Sequence, residues 1–247
     1  MTLPLFLVDP AVVAGATLGS RVVLDGSGGR HAATVRRIGA GEQVLLADGA
    51  GLRLTCDVVA AGKAELELSV VDVGHEAEGR PRFVLVQALA KGDRDDQAIE
   101  AATELGVDEV VPWQASRSIV QWRGDRADKA RRKWESTVVA AAKQSRRARV
   151  PVVGELATTK ALVARIGAAD AAYVLHEDAT QALAAQSLPG SGDVLVVVGP
   201  EGGITPEEVA AFEAAGAVTV RLGRTVLRSS SAGPAALAVL SAAARWR

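Results

Sequence analysis

The sequence predicts an α/β protein made of a small β-rich domain followed by a larger domain with a mostly parallel sheet. In residues 1–74, short apolar runs are separated by glycine turns, which is typical of an antiparallel sheet. After residue 83, strand-like and helix-like segments alternate, which is typical of a parallel sheet covered on both faces. Residues 75–82 are polar and without periodicity, so we predict a linker between the two domains.

The first domain is predicted to contain strands at 5–8, 21–24, 43–46, 52–59 and 64–71. Every second residue is apolar in the last two of these, as a half-solvated antiparallel strand requires. A glycine-rich stretch leads into a short helical piece at 30–38. The pattern therefore favours a small β-barrel or a compact β-sheet domain.

The second domain, residues 83–247, alternates between the two kinds of element. Strands are predicted at 83–88, 109–112, 171–175, 194–198 and 217–222, with a short strand at best at Val152. Helices are predicted at 93–105, 126–145, 158–166, 180–186, 206–215 and 232–246.

Charge and composition exclude several classes of protein. The 28 Lys and Arg residues nearly balance the 29 Asp and Glu residues, so any affinity for nucleic acid must come from local clusters. Cys56 is the only cysteine, which rules out an intramolecular disulfide and a cysteine-based zinc site. The three histidines do not stand at metal-ligand spacing, so we expect no metal site. We also expect no signal peptide and no membrane span, and hence a cytoplasmic protein.

The segment 193–208 predicts a strand, a glycine loop and a capped helix. Residues 194–198 form an uninterrupted apolar run, as in a strand buried on both faces. The sequence GPEGG then turns the chain. Thr205 is the predicted N-cap, with Pro206 at N1 and Glu208 completing a capping box.

A glycine loop at the carboxyl end of a sheet strand is a common ligand site in α/β proteins, because glycine lets a small molecule approach the backbone. No dinucleotide-binding or P-loop motif is present, and Glu201 disfavours a phosphate here. A neutral or cationic ligand fits better. Taken alone, an ordinary tight turn explains the loop equally well.

Two further clusters are candidates for binding. Residues 117–149 contain eleven basic and three acidic residues, which indicates either a phosphate-binding surface or a basic, solvent-exposed helix without a binding role. The second cluster is LGRTVLRSSSA at 222–232. Its Arg228 could bind an acidic group of a substrate or form a surface ion pair. We expect its serine hydroxyls to cap the last helix. His176 and Glu177 end a predicted strand, so parallel strands would bring them to the edge that holds the glycine loop.

Four segments together resemble the RsmE family of the SPOUT superfamily, whose members methylate N3 of a uridine in small-subunit (16S) ribosomal RNA. They are ATELGVDEVVP at 102–112, AKQSRRARVP at 142–151, LVVVGPEGGITPEE at 195–208 and LGRTVLRSSSA at 222–232. The resemblance implies a PUA-like RNA-binding β-barrel at 1–74 and a SPOUT methyltransferase domain with a deep trefoil knot at 83–247. It also implies S-adenosylmethionine as methyl donor and a homodimer.

In this family the donor lies in three loops, which implies a set of cofactor-binding residues here. They are Leu175, His176, Glu177, Val198, Gly199, Pro200, Glu201, Gly202, Gly203, Leu222, Gly223, Val226, Leu227, Arg228 and Ser229. Arg228 is also the candidate catalytic residue, as a positive group near the reacting base. RNA-binding positions implied by the resemblance are His31, Arg37, Gln144, Arg147 and Arg149, and the basic cluster adds Arg131, Arg132 and Arg146.

The sequence departs from the family at one informative position. The family motif LR-[ST]-E-[ST]-A is written LRSSSA here, with Ser230 at the place of the glutamate. A mechanism in which that glutamate removes the uridine proton is therefore in doubt, and the base is unassigned. Two alternatives stay open: a SPOUT methyltransferase acting on transfer RNA or on another ribosomal RNA position, and a non-catalytic RNA-binding ribosome assembly factor.

Overall fold

The computed structural model describes residues 2–246 and consists of two compact units. The first unit extends to Glu78 and also includes Ala142–Val150, whereas the second comprises Gly79–Ala141 and the chain from Pro151 onward. Residues 142–150 lie outside the predicted first domain. They join the first unit because the Arg149 side chain donates to the Glu76 carbonyl oxygen at 2.8 Å, and the Glu76 carboxylate accepts the backbone N–H of Ala148.

The first unit is built on a five-stranded sheet. Its strands are β1 (Leu5–Leu7), β2 (Arg21–Leu24), β3 (Gln43–Ala47), β4 (Leu52–Ala61) and β5 (Leu66–His75). The order in the sheet is β1-β3-β4-β5-β2, in which β1 and β3 are parallel and the other neighbours are antiparallel. The alternating residues of β4 and β5 enclose an apolar core that includes the fully buried Cys56.

Short helical segments accompany this sheet. They are α1 (Pro10–Val13), α2 (Gly26–Arg30) and a π-helical turn at His31–Val35 that continues directly from α2. The sequence predicted helix only from residue 30. Helix α2 begins four residues earlier, after Asp25, where Gly29 packs against the backbone so closely that a Cβ atom would lie 2.3 Å from the Leu24 carbonyl oxygen.

The second unit contains an eight-stranded sheet. Its strands are β6 (Arg82–Ala88), β7 (Glu109–Gln114), β8 (Val152–Val153), β9 (Ala157–Thr158), β10 (Ala171–Leu175), β11 (Gln181–Ala182), β12 (Asp193–Val198) and β13 (Val218–Arg221). The order is β11-β13-β10-β12-β6-β7-β8, with β9 also pairing with β7. Every pair of neighbouring strands that the structure describes in this sheet is parallel, which confirms the predicted sheet type.

Helices cover both faces of this sheet. They are α3 (Arg94–Glu104), α4 (Asp125–Ser145), α5 (Thr159–Ala168), α6 (Pro206–Ala214) and α7 (Ser229–Ala244). Helices α3 and α7 pack against each other and on one face, and α7 contacts β12 and β6 there. On the other face, Phe212 of α6 and Leu162 of α5 join the core formed by Val84, Leu195 and neighbouring strand residues.

Two predicted elements differ from the structure. Residues 180–186, predicted as a helix, form the short edge strand β11 and a 3₁₀ turn at Leu183–Ala185, because β11 pairs in parallel with β13. The last helix begins at Ser229 rather than near Ala232. Within residues 2–246, no helix combines the length and the apolar character that crossing a membrane requires.

Candidate functional site

The three loops implied to bind the cofactor meet at one edge of the parallel sheet. They follow β10, β12 and β13, which are neighbours in the order β13-β10-β12, so their carboxyl ends lie side by side. The backbone N–H of His176 donates to Val220 O at 3.0 Å and fixes the loop after β10 to the end of β13. The expectation that His176 and Glu177 share an edge with the glycine loop is met by this strand order.

The glycine loop has the predicted local structure. Thr205 caps α6, its hydroxyl accepts the Glu208 N–H, and the Glu208 side chain accepts the Thr205 N–H, so both halves of the capping box are present. Gly199 lies against Ile204, where a Cβ atom would be 2.6 Å from Cγ1. Gly203 has a φ of 76°, in the region that favours glycine.

Glu201 connects the glycine loop to the loop that follows β6. Its Oε1 atom accepts hydrogen bonds from the Arg94 guanidinium at 2.7 Å and from the Lys91 backbone N–H at 3.3 Å. Burial opposes ionisation, but these hydrogen bonds and the charge of Arg94 outweigh it and lower the pKa of Glu201. The carboxylate is therefore ionised near neutral pH and is a weak base.

Sequence reasoning missed the loop after β6. Its polar sequence KGDR, residues 91–94, was not among the segments predicted to bind a ligand. Because β6 pairs with β12, that loop stands beside the glycine loop. The sequence does show a charged loop after a buried strand. It does not show that this strand, β6, pairs with β12, because strand pairing is decided by the tertiary fold.

Glu208 joins three segments beneath the glycine loop. Only 3% exposed, it accepts at Oε1 the backbone N–H and hydroxyl of Ser116, each at 2.9 Å, and the Thr159 hydroxyl at 2.9 Å. Burial raises the pKa of Glu208, yet these bonds and that from Thr205 N–H outweigh burial and hold it below the usual value. The loop after β7 and the start of α5 are thereby tied to α6.

The loop at 222–228 is the exposed wall of the site. Gly223 and the five residues after it are exposed, among them Val226 at 75%. The expectation that serine hydroxyls cap α7 is wrong, since Arg228 occupies the N-cap and no side chain makes a capping hydrogen bond. The serines fall in the first turn because the helix starts at Ser229.

Two buried polar atoms near this edge have unused hydrogen-bonding capacity. Among the described residues, neither Gln87 Oε1 nor Ser229 Oγ has a partner. Gln87 is fully buried near the end of β6, in register with Val198. S-adenosylmethionine carries amino and hydroxyl donors, and close-packed glycines leave main-chain groups accessible, so the residues present fit the implied cofactor. Within residues 2–246, no group of three or more potential ligands is placed to hold a metal ion.

Asp95, in the first turn of α3, is a buried acid near the same edge. It is 6% exposed, and burial together with the neighbouring charge of Asp96 raises the pKa of Asp95 from 3.8 to about 6. Its Oδ1 accepts the Asp96 N–H, and Lys133 of α4 is the cation that partly offsets the shift. These contacts point to a structural role, so we do not assign it as the base.

Replacing Asp95 with asparagine is expected to stabilise the protein at pH 7.5 by about 3 kcal/mol, because the pKa of Asp95 is raised from 3.8 to about 6 and a shift of one pKa unit corresponds to about 1.4 kcal/mol. The folded state holds its proton up to a higher pH than the unfolded state does, so the wild type loses stability between about pH 4 and 6. The gain should therefore vanish near pH 4. Urea unfolding at both pH values checks this, with Glu100→Gln on the exposed side of α3 as control.

The candidate RNA-binding residues fall into two groups. His31, Arg37, Gln144 and Arg146 are exposed in the first unit. Arg147, in the same unit, is half-buried. On α4, Arg132 is exposed, beside a cavity of about 480 Å³ that is lined by further basic residues, namely Arg126, Lys129 and Lys133.

Two of the predicted RNA-binding arginines form ion pairs or hydrogen bonds with other residues of the protein. Arg131 pairs with Glu135 and Glu155. Arg149 binds the Glu76 carbonyl oxygen and pairs with Glu78 at 3.6 Å. Their guanidinium groups are therefore less available to phosphate than that of Arg132.

Comparison with known proteins identifies the family. Residues 78–241 match the model of an RNA methyltransferase domain, and residues 24–71 match that of an RNA methyltransferase PUA domain. A ribosomal RNA small subunit methyltransferase E from Mycobacterium bovis is 45% identical over 251 residues, covering 100% of this chain and 94% of the relative. The chain belongs to the RsmE family.

Other members of the RsmE family support the same assignment. The Bacillus subtilis ribosomal RNA small subunit methyltransferase E is 30% identical, with 85% of this chain and 86% of the relative covered. The crystal structure of the Neisseria gonorrhoeae enzyme, bound to S-adenosyl methionine, matches with a TM-score of 0.86 at 27% identity over 98% of both chains. The RsmE resemblance and the predicted combination of a PUA-like domain with a mostly parallel α/β domain are thus confirmed.

Proposed function

We propose that this protein is an S-adenosylmethionine-dependent methyltransferase that modifies N3 of a uridine in 16S ribosomal RNA. The observation that carries the proposal is the 45% identity, over the whole chain, to a ribosomal RNA small subunit methyltransferase E. The convergence of the loops after β10, β12 and β13 at one sheet edge supports it independently.

The cofactor supplies an electrophilic methyl group carried by a sulfonium sulfur. Main-chain groups of the segments 175–177, 198–203 and 222–229 would hold it, and the hydrogen bond between Glu201 and Arg94 connects the glycine loop to the start of α3. The negative charge of Glu201 is also compatible with a cationic sulfonium, in contrast to a phosphate. The unused Ser229 hydroxyl provides a further hydrogen-bonding group at the start of α7.

The protein's chemical task is to make N3 nucleophilic. The uridine imide loses its proton before or during attack, so the site must accept a proton or stabilise the anion. Arg228, exposed at the N-cap of α7, is placed on the loop that follows β13 and stabilises this anion. With Ser230 at the family's glutamate position, the carboxylate that would otherwise be a candidate base is missing here.

The two predicted domains have different roles in this proposal. We assign RNA binding to residues 1–74, with His31 and Arg37, and methyl transfer to residues 83–247. The RNA substrate implies a cytoplasmic location, and a homodimer and a trefoil knot follow from the family resemblance. The sheet order, in which β12 lies between β10 and β6, is compatible with such a knot.

The test uses purified protein, S-adenosylmethionine with a labelled methyl group, and small ribosomal subunits from a strain that lacks the gene. Nucleoside mass spectrometry should find the label in 3-methyluridine of 16S RNA. Arg228→Gln should lower kcat about 100-fold, the order of effect seen when an anion-stabilising donor is removed. Label in transfer RNA or in another nucleoside would replace the proposed substrate, and RNA binding without any transfer would indicate a non-catalytic assembly factor.

A further inference from the structure

Arg117 lies beside the glycine loop; it belongs to the basic cluster 117–149 but was not singled out as an RNA-binding or cofactor-binding residue. It follows β7, two strands away from β12 in the sheet, so its loop reaches the edge where the site is built. Its guanidinium NH1 group donates a hydrogen bond to the carbonyl oxygen of Gly202 at 3.0 Å. The side chain therefore contacts the main chain of the glycine loop.

The backbone around Arg117 is held from both sides. Before it, Ser116 is fixed through its N–H and hydroxyl to the buried carboxylate of Glu208. After it, Ser118 is only 6% exposed, and its N–H donates to Ala115 O at 3.0 Å. The arginine thus projects from a rigid turn in an otherwise exposed loop.

The glycine loop accommodates this arginine closely. A Cβ atom on Gly202 would lie 3.1 Å from Cβ and 3.3 Å from the carbonyl oxygen of Arg117. Contact of the two loops therefore depends on glycine at position 202. The contacts of the Arg117 Cβ and carbonyl oxygen need no charge at position 117, whereas the hydrogen bond to the Gly202 carbonyl oxygen comes from the guanidinium.

The charged end of Arg117 has capacity that the fold does not use. A guanidinium has five N–H donors. Among the described residues, the Arg117 guanidinium makes one hydrogen bond, to the carbonyl oxygen of Gly202. Among residues 2–246 no carboxylate pairs with it within 4.0 Å, although the exposed Glu207 is near enough for its pKa to be lowered partly by the Arg117 charge. An exposed, oriented and unpaired guanidinium matches the geometry of a phosphate.

We propose that Arg117 binds the phosphate backbone of the RNA at the nucleotide that enters the site. This inference rests on the proposed function, since it places an RNA strand at the glycine loop. The side chain is exposed, so an RNA strand can reach its guanidinium from solvent. Phosphate contacts of this kind set the register of the strand and make affinity depend on salt.

The experiment compares the full-length wild type with Arg117→Gln and Arg117→Lys. RNA affinity is measured on 16S RNA transcribed in vitro over a series of salt concentrations, and S-adenosylmethionine affinity by titration calorimetry. Arg117→Gln should raise the Kd for RNA about tenfold and reduce the salt slope by about 1, with cofactor affinity unchanged. In methylation of small subunits KM should rise while kcat stays within about twofold, and lysine should restore part of the affinity.

Arg80→Gln is the matched control, because it removes one exposed arginine charge just before β6, at the opposite end of the strands. It should leave all these quantities unchanged. An unaltered salt slope in Arg117→Gln, or a loss of cofactor affinity with normal RNA binding, overturns the proposal in favour of loop support. A wild type that binds RNA but transfers no methyl group refutes the proposed function instead, and the RNA titration still decides the role of Arg117.

Discussion

Replacing Glu208 with alanine is expected to lower the free energy of unfolding by about 3 to 4 kcal/mol. The carboxylate is 3% exposed and accepts hydrogen bonds from Ser116, Thr159 and Thr205. Hydrogen bonds to a charged group contribute about 1.5 to 3 kcal/mol each but are not additive, and the donors left behind would be partly buried without partners. The variant should also lose the fixed position of the Ser116 turn and hence methyl transfer activity.

The effect of Glu208 should depend on pH in a defined direction. Hydrogen bonds hold the pKa of Glu208 below its usual value of 4.5, so its contribution is fully present above that value and is lost as pH falls through the folded-state pKa. Urea unfolding of wild type and Glu208→Ala at pH 7 and at pH 3 measures this. The difference between the two proteins should shrink at pH 3.

Glu207→Ala is the control for Glu208→Ala. Glu207 stands in the same first turn of α6 but is exposed. We expect the Glu207 variant to unfold and to methylate like the wild type. Equal stability of the two variants at pH 7 would show that the hydrogen bonds of Glu208 do not hold the three segments together.

Replacing Gly199 with alanine is expected to weaken S-adenosylmethionine binding at least about tenfold, which corresponds to about 1.4 kcal/mol. The new methyl group would lie 2.6 Å from Cγ1 of Ile204, a residue 6% exposed in the core. Because Ile204 is packed in the core, the loop 199–204 must shift to relieve this contact. The free energy of unfolding should therefore fall by about 1 to 3 kcal/mol. Calorimetric titration with the cofactor and thermal unfolding provide the two readouts.

Gly190→Ala makes the same chemical change in open space. No atom lies within 4 Å of the position where its Cβ would be built. This variant should bind the cofactor and unfold like the wild type. Normal cofactor binding by Gly199→Ala would mean that the glycine loop is the ordinary turn that the sequence alone allowed.

Local features of the site followed from the sequence wherever neighbours in the chain determine them. The strand predicted at 194–198, the capping box of Thr205 and Glu208, and the parallel sheet are present, with the strand beginning one residue earlier, at Asp193. The edge shared by His176 and the glycine loop followed once the strands were taken as parallel. In each of these cases the spacing of residues in the chain, together with strand or helix geometry, decides the outcome.

Features that depend on distant partners could not be predicted. The Glu201–Arg94 pair joins residues 107 positions apart, and the Arg117–Gly202 contact spans 85 positions. The start of α7 was misplaced because serine favours the N-cap in general, whereas here Arg228 holds that position without a side-chain bond. Sequence patterns carry preferences of this kind but not the tertiary contacts that override them.

The most direct test of the central claim is mass spectrometry of 16S ribosomal RNA from a strain in which the gene has been deleted. The proposed function predicts that 3-methyluridine disappears from one position and returns when the wild-type gene is supplied. It also predicts slower or incomplete recovery with the Gly199→Ala variant. An unchanged level of 3-methyluridine in the deletion strain would contradict the assignment.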